Sequence, residues 1–191
     1  MDIRTITRAI CSHFLQQYHY LGSKGFRQSR IYGLYDNDEL VGVCVFHGIS
    51  APETAVGAFG LNRNDQSLLY ELGRLAIHPR LNGGNHTSWF VSRCLRDMRK
   101  NGARAVISYA DSGAGHLGSI YRALNAFYCG TTAPKADFYV NGVKQERGKT
   151  RGVDGGEWKP RSVKHRYVWV YDRSLTLKWP IVSCNWEGIK R

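Results

Sequence analysis

The segment Ser108-Tyr109-Ala110-Asp111-Ser112-Gly113-Ala114-Gly115-His116-Leu117-Gly118-Ser119-Ile120-Tyr121 gathers a carboxylate, an imidazole and two phenols around one glycine-broken turn. Asp111 and His116 are residue types that accept or pass protons near neutral pH, and Tyr109 and Tyr121 can donate them. The apolar run Ala105-Val106-Ile107 feeds this turn and a helical pattern follows it at once. In open α/β sheets, ligands bind in the crevice beyond a strand's carboxyl end, which is where a strand, turn and helix in this order would put these groups. The same residues also read as a plain glycine-rich connection with Asp111 or Ser112 capping the next helix.

A second constellation lies upstream, in Glu71-Leu72-Gly73-Arg74-Leu75-Ala76-Ile77-His78-Pro79-Arg80-Leu81-Asn82-Gly83-Gly84-Asn85-His86-Thr87-Ser88. Backbone N–H groups at a helix N-terminus lack intrahelical partners and favour anions. Gly83 and Gly84 permit close approach of the backbone, and Thr87 or Ser88 can offer a hydroxyl to a phosphate. Tyr18-His19-Tyr20 ends the first helical pattern and supplies a histidine suited to proton transfer or metal ligation. Phe46-His47-Gly48 is similar, but a lone histidine leaving a strand reads as structural.

Regular elements must position these groups. Periodicity predicts a short strand over 2–6 and a helix over 8–18 capped by Thr7, with Ala9, Ile10, Phe14, Leu15 and Tyr18 on one face. Runs at 30–36 and 39–48 form a hairpin about Asp36-Asn37-Asp38. Residues 50–67 read as loop and 68–78 as a strand stopped by Pro79. A helix from Thr87 or Ser88 to about Asn101 buries Phe90, Val91, Cys94, Leu95 and Met98 and turns Arg93, Arg96, Arg99 and Lys100 outward. A strand at 103–110, a helix at 115–128, and late strands at 137–143 and 165–171 complete the pattern. The order implies an α/β (α+β) fold, a mixed and mostly antiparallel central sheet flanked by helices.

With 191 residues the chain is expected to form one domain, with a basic loop at 144–166 and an aromatic tail at 172–191. Its 27 Lys and Arg against 15 Asp and Glu give a net charge of +12, which points to a polyanionic partner, nucleic acid ahead of acidic lipid. The stretch 144–166 alone carries eight Lys and Arg against three Asp and Glu. Arg147, Lys149, Arg151, Lys159, Arg161, Lys164 and Arg166 are its candidate nucleic-acid contacts, and Trp158 could stack on a base. Five scattered cysteines without a C-x-x-C pair suggest reduced thiols rather than a zinc site or disulfide framework. With neither a signal-peptide plan nor a membrane-length apolar run, a soluble, cytoplasmic protein without membrane attachment is expected.

The element order resembles the GCN5-related N-acetyltransferase fold, in which a strand, a phosphate-cradling turn and a helix bind acyl-coenzyme A. The adjacent Gly83-Gly84 departs from that fold's usual pyrophosphate loop, where glycines stand two and four positions after an Arg or Gln. More specifically, Tyr109-Ala110-Asp111 with Gly115-His116-Leu117-Gly118-Ser119-Ile120-Tyr121, Ala123, Asn125, Tyr128 and Gly130 resembles the signature of the phage Mom family. Glu71-Leu72-Gly73-Arg74-Leu75, His19-Tyr20, Trp89-Phe90 and Lys164-His165-Arg166-Tyr167 add to the resemblance, which runs from about Ile3 to Tyr171. It implies an acetyltransferase-like fold and an enzyme that converts adenine N6 in double-stranded DNA to a methylcarbamoylated form, shielding phage DNA from restriction in the host cytoplasm. The cofactors it implies are acetyl-coenzyme A, as small-molecule acyl donor, and Fe(II), for which His19 with Asp111 would be the nucleus and His47 or His116 the missing ligand. It places catalysis on His19, Tyr20, Asp111 and Tyr121, and cofactor contacts on Arg74, Leu75, Ile77, Gly83, Gly84, Thr87 and Ser88. The competing expectations are an acetyl-coenzyme A-dependent N-acetyltransferase acting on a protein or small amine, and a non-catalytic DNA-binding anti-defence protein.

Overall fold

The computed structural model describes residues 1–145 and 154–183. Seven strands form one sheet in the order β1-β2-β3-β4-β5-β10-β6, where β1 is Asp2–Thr5, β2 Arg30–Asp36, β3 Glu39–Gly48, β4 Leu69–Ile77, β5 Ala105–Asp111, β6 Phe127–Thr131 and β10 Lys164–Val170. Every neighbouring pair is antiparallel except β4 and β5. That parallel pair is bridged by α3 (His86–Lys100), the crossover that parallel strands require. α1 (Arg8–Tyr18) and α2 (Pro52–Phe59) cover one face, packed on clusters containing Phe14, Leu15, Val43 and Val45, and Ala55, Phe59, Ile107 and Val168. α3 and α4 (Ser119–Ala123) cover the other face, over Phe46, Leu72, Val106, Tyr167 and Trp169.

Local chemistry accounts for the elements. Thr7 caps α1 by accepting the Ile10 N–H at 3.4 Å, and Cys11, Phe14 and Leu15 recur at helical spacing to form its buried face. In α3, Phe90, Val91, Cys94, Leu95 and Met98 are buried while Arg93, Arg96, Arg99 and Lys100 are exposed, as their spacing predicts. Asn37 and Asp38, both at positive φ, close the β2–β3 hairpin.

Three expectations needed correction. The segment expected to be loop contains α2, which Pro52 opens and Gly60, at φ 70°, stops; Gly57 and Pro52 had masked its short apolar face of Ala55, Ala58 and Phe59. The helix expected over 115–128 is only Ser119–Ala123. Asn125 turns to φ 58° and the chain leaves as β6, because Phe127, Tyr128 and Cys129 complete the sheet against β10. The expected basic loop is in part a second sheet, ordered β8-β7-β9, of β7 (Ala136–Val140), β8 (Val143–Lys144) and β9 (Gly156–Pro160). Asn141-Gly142, at φ 50° and 76°, makes its tight turn, so the strand expected over 137–143 ends at Val140 and the chain reverses into β8. The aromatic tail folds back: Leu175 packs beside α2, the Lys178 N–H donates to Ala58 O, and Trp179 covers Arg166. Trp186 lies outside the described residues.

Candidate active site

Two irregularities open the sheet at its centre. Val45 faces Arg74 and Phe46 faces Leu72, so Gly73 is an extra residue on β4, a bulge. The β4–β5 ladder ends at the pair Leu72 and Ser108, although β4 continues to Ile77 and β5 to Asp111. Beyond that point the strands part around a cleft of about 1180 Å³. Of the residues singled out by sequence, His19, Tyr20, Arg74, Leu75, Ile77, Gly84, Thr87, Ser88, Asp111, Tyr121 and Lys164 line it. Gly83, at φ 88°, is not on its wall.

α3 opens onto this cleft. Asn85 makes no side-chain cap, the first turn holds no acid, and the Ser88 hydroxyl donates to the Asn85 carbonyl at 3.0 Å. Its first-turn N–H groups therefore present positive dipole to the cleft. Strand alternation puts Leu75 and Ile77 under α3 and Arg74 on the α1 side with Ala76. The Arg74 guanidinium donates to its neighbour's Gly73 carbonyl at 2.8 Å, while its Nε is buried without a hydrogen-bond partner among the described residues. Burial depresses its pKa, and no carboxylate pairs with it among those residues. A cationic donor with a buried, unsatisfied Nε and an uncapped helix N-terminus, both lining one cleft, are a donor set that fits the anionic part of an acyl-coenzyme A.

The α1 end supplies His19 and Tyr20. His19 caps α1, and its Nδ1 accepts the Leu21 N–H at 3.1 Å, so in the neutral ring Nε2 carries the hydrogen. Burial, then Arg74 and His116, push the imidazole down to about 4. Tyr20 stacks on His19 at 4.8 Å and meets His116 edge-on at 5.3 Å. His116 thus belongs to the cleft wall, closer to these groups than its glycine-flanked position implied.

Asp111 is locked. Its Oδ1 accepts the Ser162 hydroxyl at 2.5 Å and the Gly113 N–H at 2.9 Å, and Oδ2 faces Lys164 Nζ at 3.7 Å. Burial alone would raise this carboxyl, but the Ser162 hydroxyl, Gly113 N–H, Lys164 and His116 together hold it below its ordinary value. Tyr121 is buried against Tyr167 and Trp169 and hydrogen-bonded to Ser108, and burial pushes its phenol up to about 12. The Ser108 hydroxyl in turn donates to the Leu72 carbonyl beside the bulge at 3.2 Å.

A third group, which the spacing of residues did not bring together, lines the cleft beside the β4 bulge. His47 and Glu71 are direct cross-strand partners, both 8% exposed, with Nε2 and Oε2 3.9 Å apart. Ser50 donates its N–H to Glu71 Oε1 and its hydroxyl to Oε2, each at 3.0 Å. Recognising this cluster required the β3–β4 register, which local periodicity does not carry.

Among the described residues no group of three His, Cys, Asp or Glu side chains is close enough to hold a metal ion. With His19 Nδ1 and Asp111 Oδ1 already engaged, the residues as placed do not fit a two-histidine, one-carboxylate iron centre. The described cations of the basic stretch are partnered: Lys159 with Glu157 at 2.7 Å, Arg161 with Asp137 at 3.2 Å and Arg166 under the Trp179 ring at 4.5 Å. Arg147, Lys149 and Arg151 lie outside the described residues. No described helix is long and apolar enough to cross a membrane.

The fold is shared with solved acetyltransferases. A Bacillus subtilis acetyltransferase in complex with CoA is similar with a TM-score of 0.54 and 14% identity, over 89% of this chain and 98% of that one. The Escherichia coli ribosomal-protein-S18-alanine N-acetyltransferase is similar at 0.56 and 10% identity, over 90% and 94%. A Salmonella typhimurium acetyltransferase with its cofactor acetyl-CoA is similar at 0.56 and 12% identity, over 91% and 95%. At such identities the likeness is one of fold, the GNAT acetyltransferase fold. No curated protein matches the chain by sequence. The Mom protein family matches residues 1–182, nearly the whole chain and every wall of the cleft, and the protein belongs to that family.

Proposed function

We propose that the protein modifies adenine in double-stranded DNA at the exocyclic N6, leaving the methylcarbamoylated base that the Mom resemblance implies and that restriction enzymes fail to cut. The observation that carries the reading is a single cleft whose wall combines anion-binding and proton-transferring groups. Its wall joins the uncapped α3 N-terminus and the Arg74 guanidinium, which no carboxylate pairs among the described residues, to His19 and Tyr20 beside that guanidinium and to Asp111 and Tyr121. Arg74, Ser88 and the first-turn N–H groups of α3 would hold the phosphates of an acyl-coenzyme A, with Leu75 and Ile77 along its path. When bound, that group would supply an activated carbonyl with a thiolate to leave, and a methylcarbamoyl product further requires that the transferred group bring its own nitrogen, which a plain acetyl group lacks.

The remaining chemistry belongs to the chain. The N6 lone pair is delocalised into the purine ring, so the amine needs both orientation and removal of a proton. At neutral pH His19 is uncharged with its hydrogen on Nε2, which makes it a donor that polarises or positions rather than a base. Tyr121 keeps its proton and can pass it to a departing thiolate. Asp111 stays anionic and, with Lys164 and Ser162, fixes the β5 turn that carries His116. A duplex adenine is unreachable inside the stack, so the base must be flipped out to reach this wall.

Mass spectrometry of nucleosides from cells expressing the protein tests the reading: modified adenine is expected, and unmodified adenine at good expression refutes it. Tyr121→Phe keeps the packing and is expected to lower the modification rate about 100-fold with acyl-donor binding unchanged by calorimetry. The acetyl-coenzyme A carried by a structural neighbour favours a second reading, an N-acetyltransferase for a protein or small amine. It predicts acetyl transfer to such amines without DNA.

A further inference from the structure

His19 lacks a proton-accepting lone pair on Nε2, and Asp111 is tied to Ser162, Gly113 and Lys164 in the β5 turn, so a second group of acceptors in the same cleft bears on where the proton of the amine goes. The structure assigns the role of acceptor to His47 and Glu71: we propose that Nε2 of His47 and Oε2 of Glu71 form a two-acceptor site for a planar amine, and that His47 takes its proton. The proposal deepens the adenine reading and rests on it for the identity of the amine.

The His47 ring is fixed by its neighbours. Nδ1 lies 2.7 Å from the Gly48 carbonyl, an acceptor only, so Nδ1 bears the hydrogen and the lone pair of the neutral ring is on Nε2. His47 lines the cleft, and its Nε2 stands at the β4 bulge, where a Cβ on Gly73 would collide with it. The bulge residue is therefore without a side chain, and the imidazole occupies the space. Glu71 is fixed as firmly, each carboxylate oxygen accepting one hydrogen bond from Ser50.

Two acceptors facing each other at 3.9 Å do not bond to each other. One nitrogen about 2.9 Å from each can donate a hydrogen to both, and an exocyclic amine has two such hydrogens in one plane. An isosteric carbonyl, as on a hypoxanthine ring, would bring a third acceptor and be repelled. In the step assigned to the pair, an N–H bond of the amine breaks, the Nε2–H bond forms, and the electron pair of the broken bond stays on the amine nitrogen. The imidazolium so formed faces the Glu71 carboxylate, which offsets its charge in a site that excludes most water.

The test uses the full chain. With 15N-labelled histidine, the Nε2 resonance of His47, identified by its loss in H47Q, is expected to move when a single-stranded oligonucleotide with one adenine is added. It should stay in place when purine, which lacks the amine, replaces that adenine. Equal responses, or none, overturn the assignment. His47→Gln and Glu71→Gln should each lower kcat for adenine modification about 100-fold or more, with KM for DNA changed by less than about threefold. A kcat near wild type in either variant overturns the catalytic role. Failure of the DNA reading is separate: the wild type would leave adenine unmodified. The NMR titration then decides the pair with aniline against toluene as probes, a response to aniline alone supporting the amine site and no response overturning it.

Discussion

His19 is a histidine whose surroundings oppose its charge, and this has a consequence for stability. Its imidazole, pushed down to about 4 by burial, Arg74 and His116, would titrate near 6.5 in the unfolded chain. Below pH 6.5 the unfolded state takes up a proton that the folded state refuses, so stability falls from pH 6.5 towards 4. His19→Gln is expected to flatten that part of the profile, measured by denaturant midpoints at each pH. The lowered Asp172 carboxyl, held by Arg104 at 2.8 Å, acts in a lower window, below its ordinary 3.8, and leaves this comparison clean. Gly73→Ala addresses the β4 bulge. A methyl there must displace the His47 ring, so modification should drop at least tenfold while overpacking costs roughly 1–3 kcal/mol by thermal denaturation. Residue types at His19 and Asp111 were legible in the chain, whereas their protonation and hydrogen-bonded partners were set by residues far away in sequence.

Among the elements, α4 shows how little of a helix is needed to place one side chain. Gly118, at φ 75°, precedes it, and a Cβ there would run into the ring of Tyr167, which is fully buried. Tyr167 donates its hydroxyl to the Leu117 carbonyl, which pins the turn from the other side. Gly118→Ala combines a left-handed backbone with a core clash. It is expected to cost roughly 1–3 kcal/mol from overpacking, with further backbone strain, and to misplace Tyr121. Unfolding midpoints and the modification rate measure the two effects. α1, β2, β3, β4 and α3 were legible because each carries its own periodicity or turn residues. α2, the early end of α4 and β6 were not. Their apolar residues pack on partners that other strands provide, and tertiary packing overrode local propensity.

At the scale of the molecule, the charge of +12 is spread unevenly. Many cations of the second sheet and of β10 are ion-paired or stacked; Arg93, Arg96 and Arg99 form an exposed ridge along α3, with Arg93 over Trp89 and Arg99 over Tyr171 but none ion-paired among the described residues. If DNA lies along this ridge, replacing all three by Glu should weaken binding to random-sequence duplex at least about tenfold. The slope of log affinity against log salt should become shallower by about 0.9 for each phosphate that the variant no longer neutralises. Titration at several salt concentrations measures both; an unchanged slope would move the DNA path elsewhere on the surface.

Within the sequence alone stood the order of the elements, the faces of α1 and α3, the hairpin turn and the family signature around Asp111 and Tyr121, because each depends on neighbours a few positions apart. The tertiary structure decided which of those side chains meet. It set the bulge at Gly73 and the parting of β4 from β5, turned Arg166 under Trp179, and brought His47 against Glu71. These outcomes follow from strand register and from the closing of the chain on itself. A one-residue slip would send every side chain of a strand to the opposite face. The chain's local pattern names the chemical groups, and the register between distant strands pairs them.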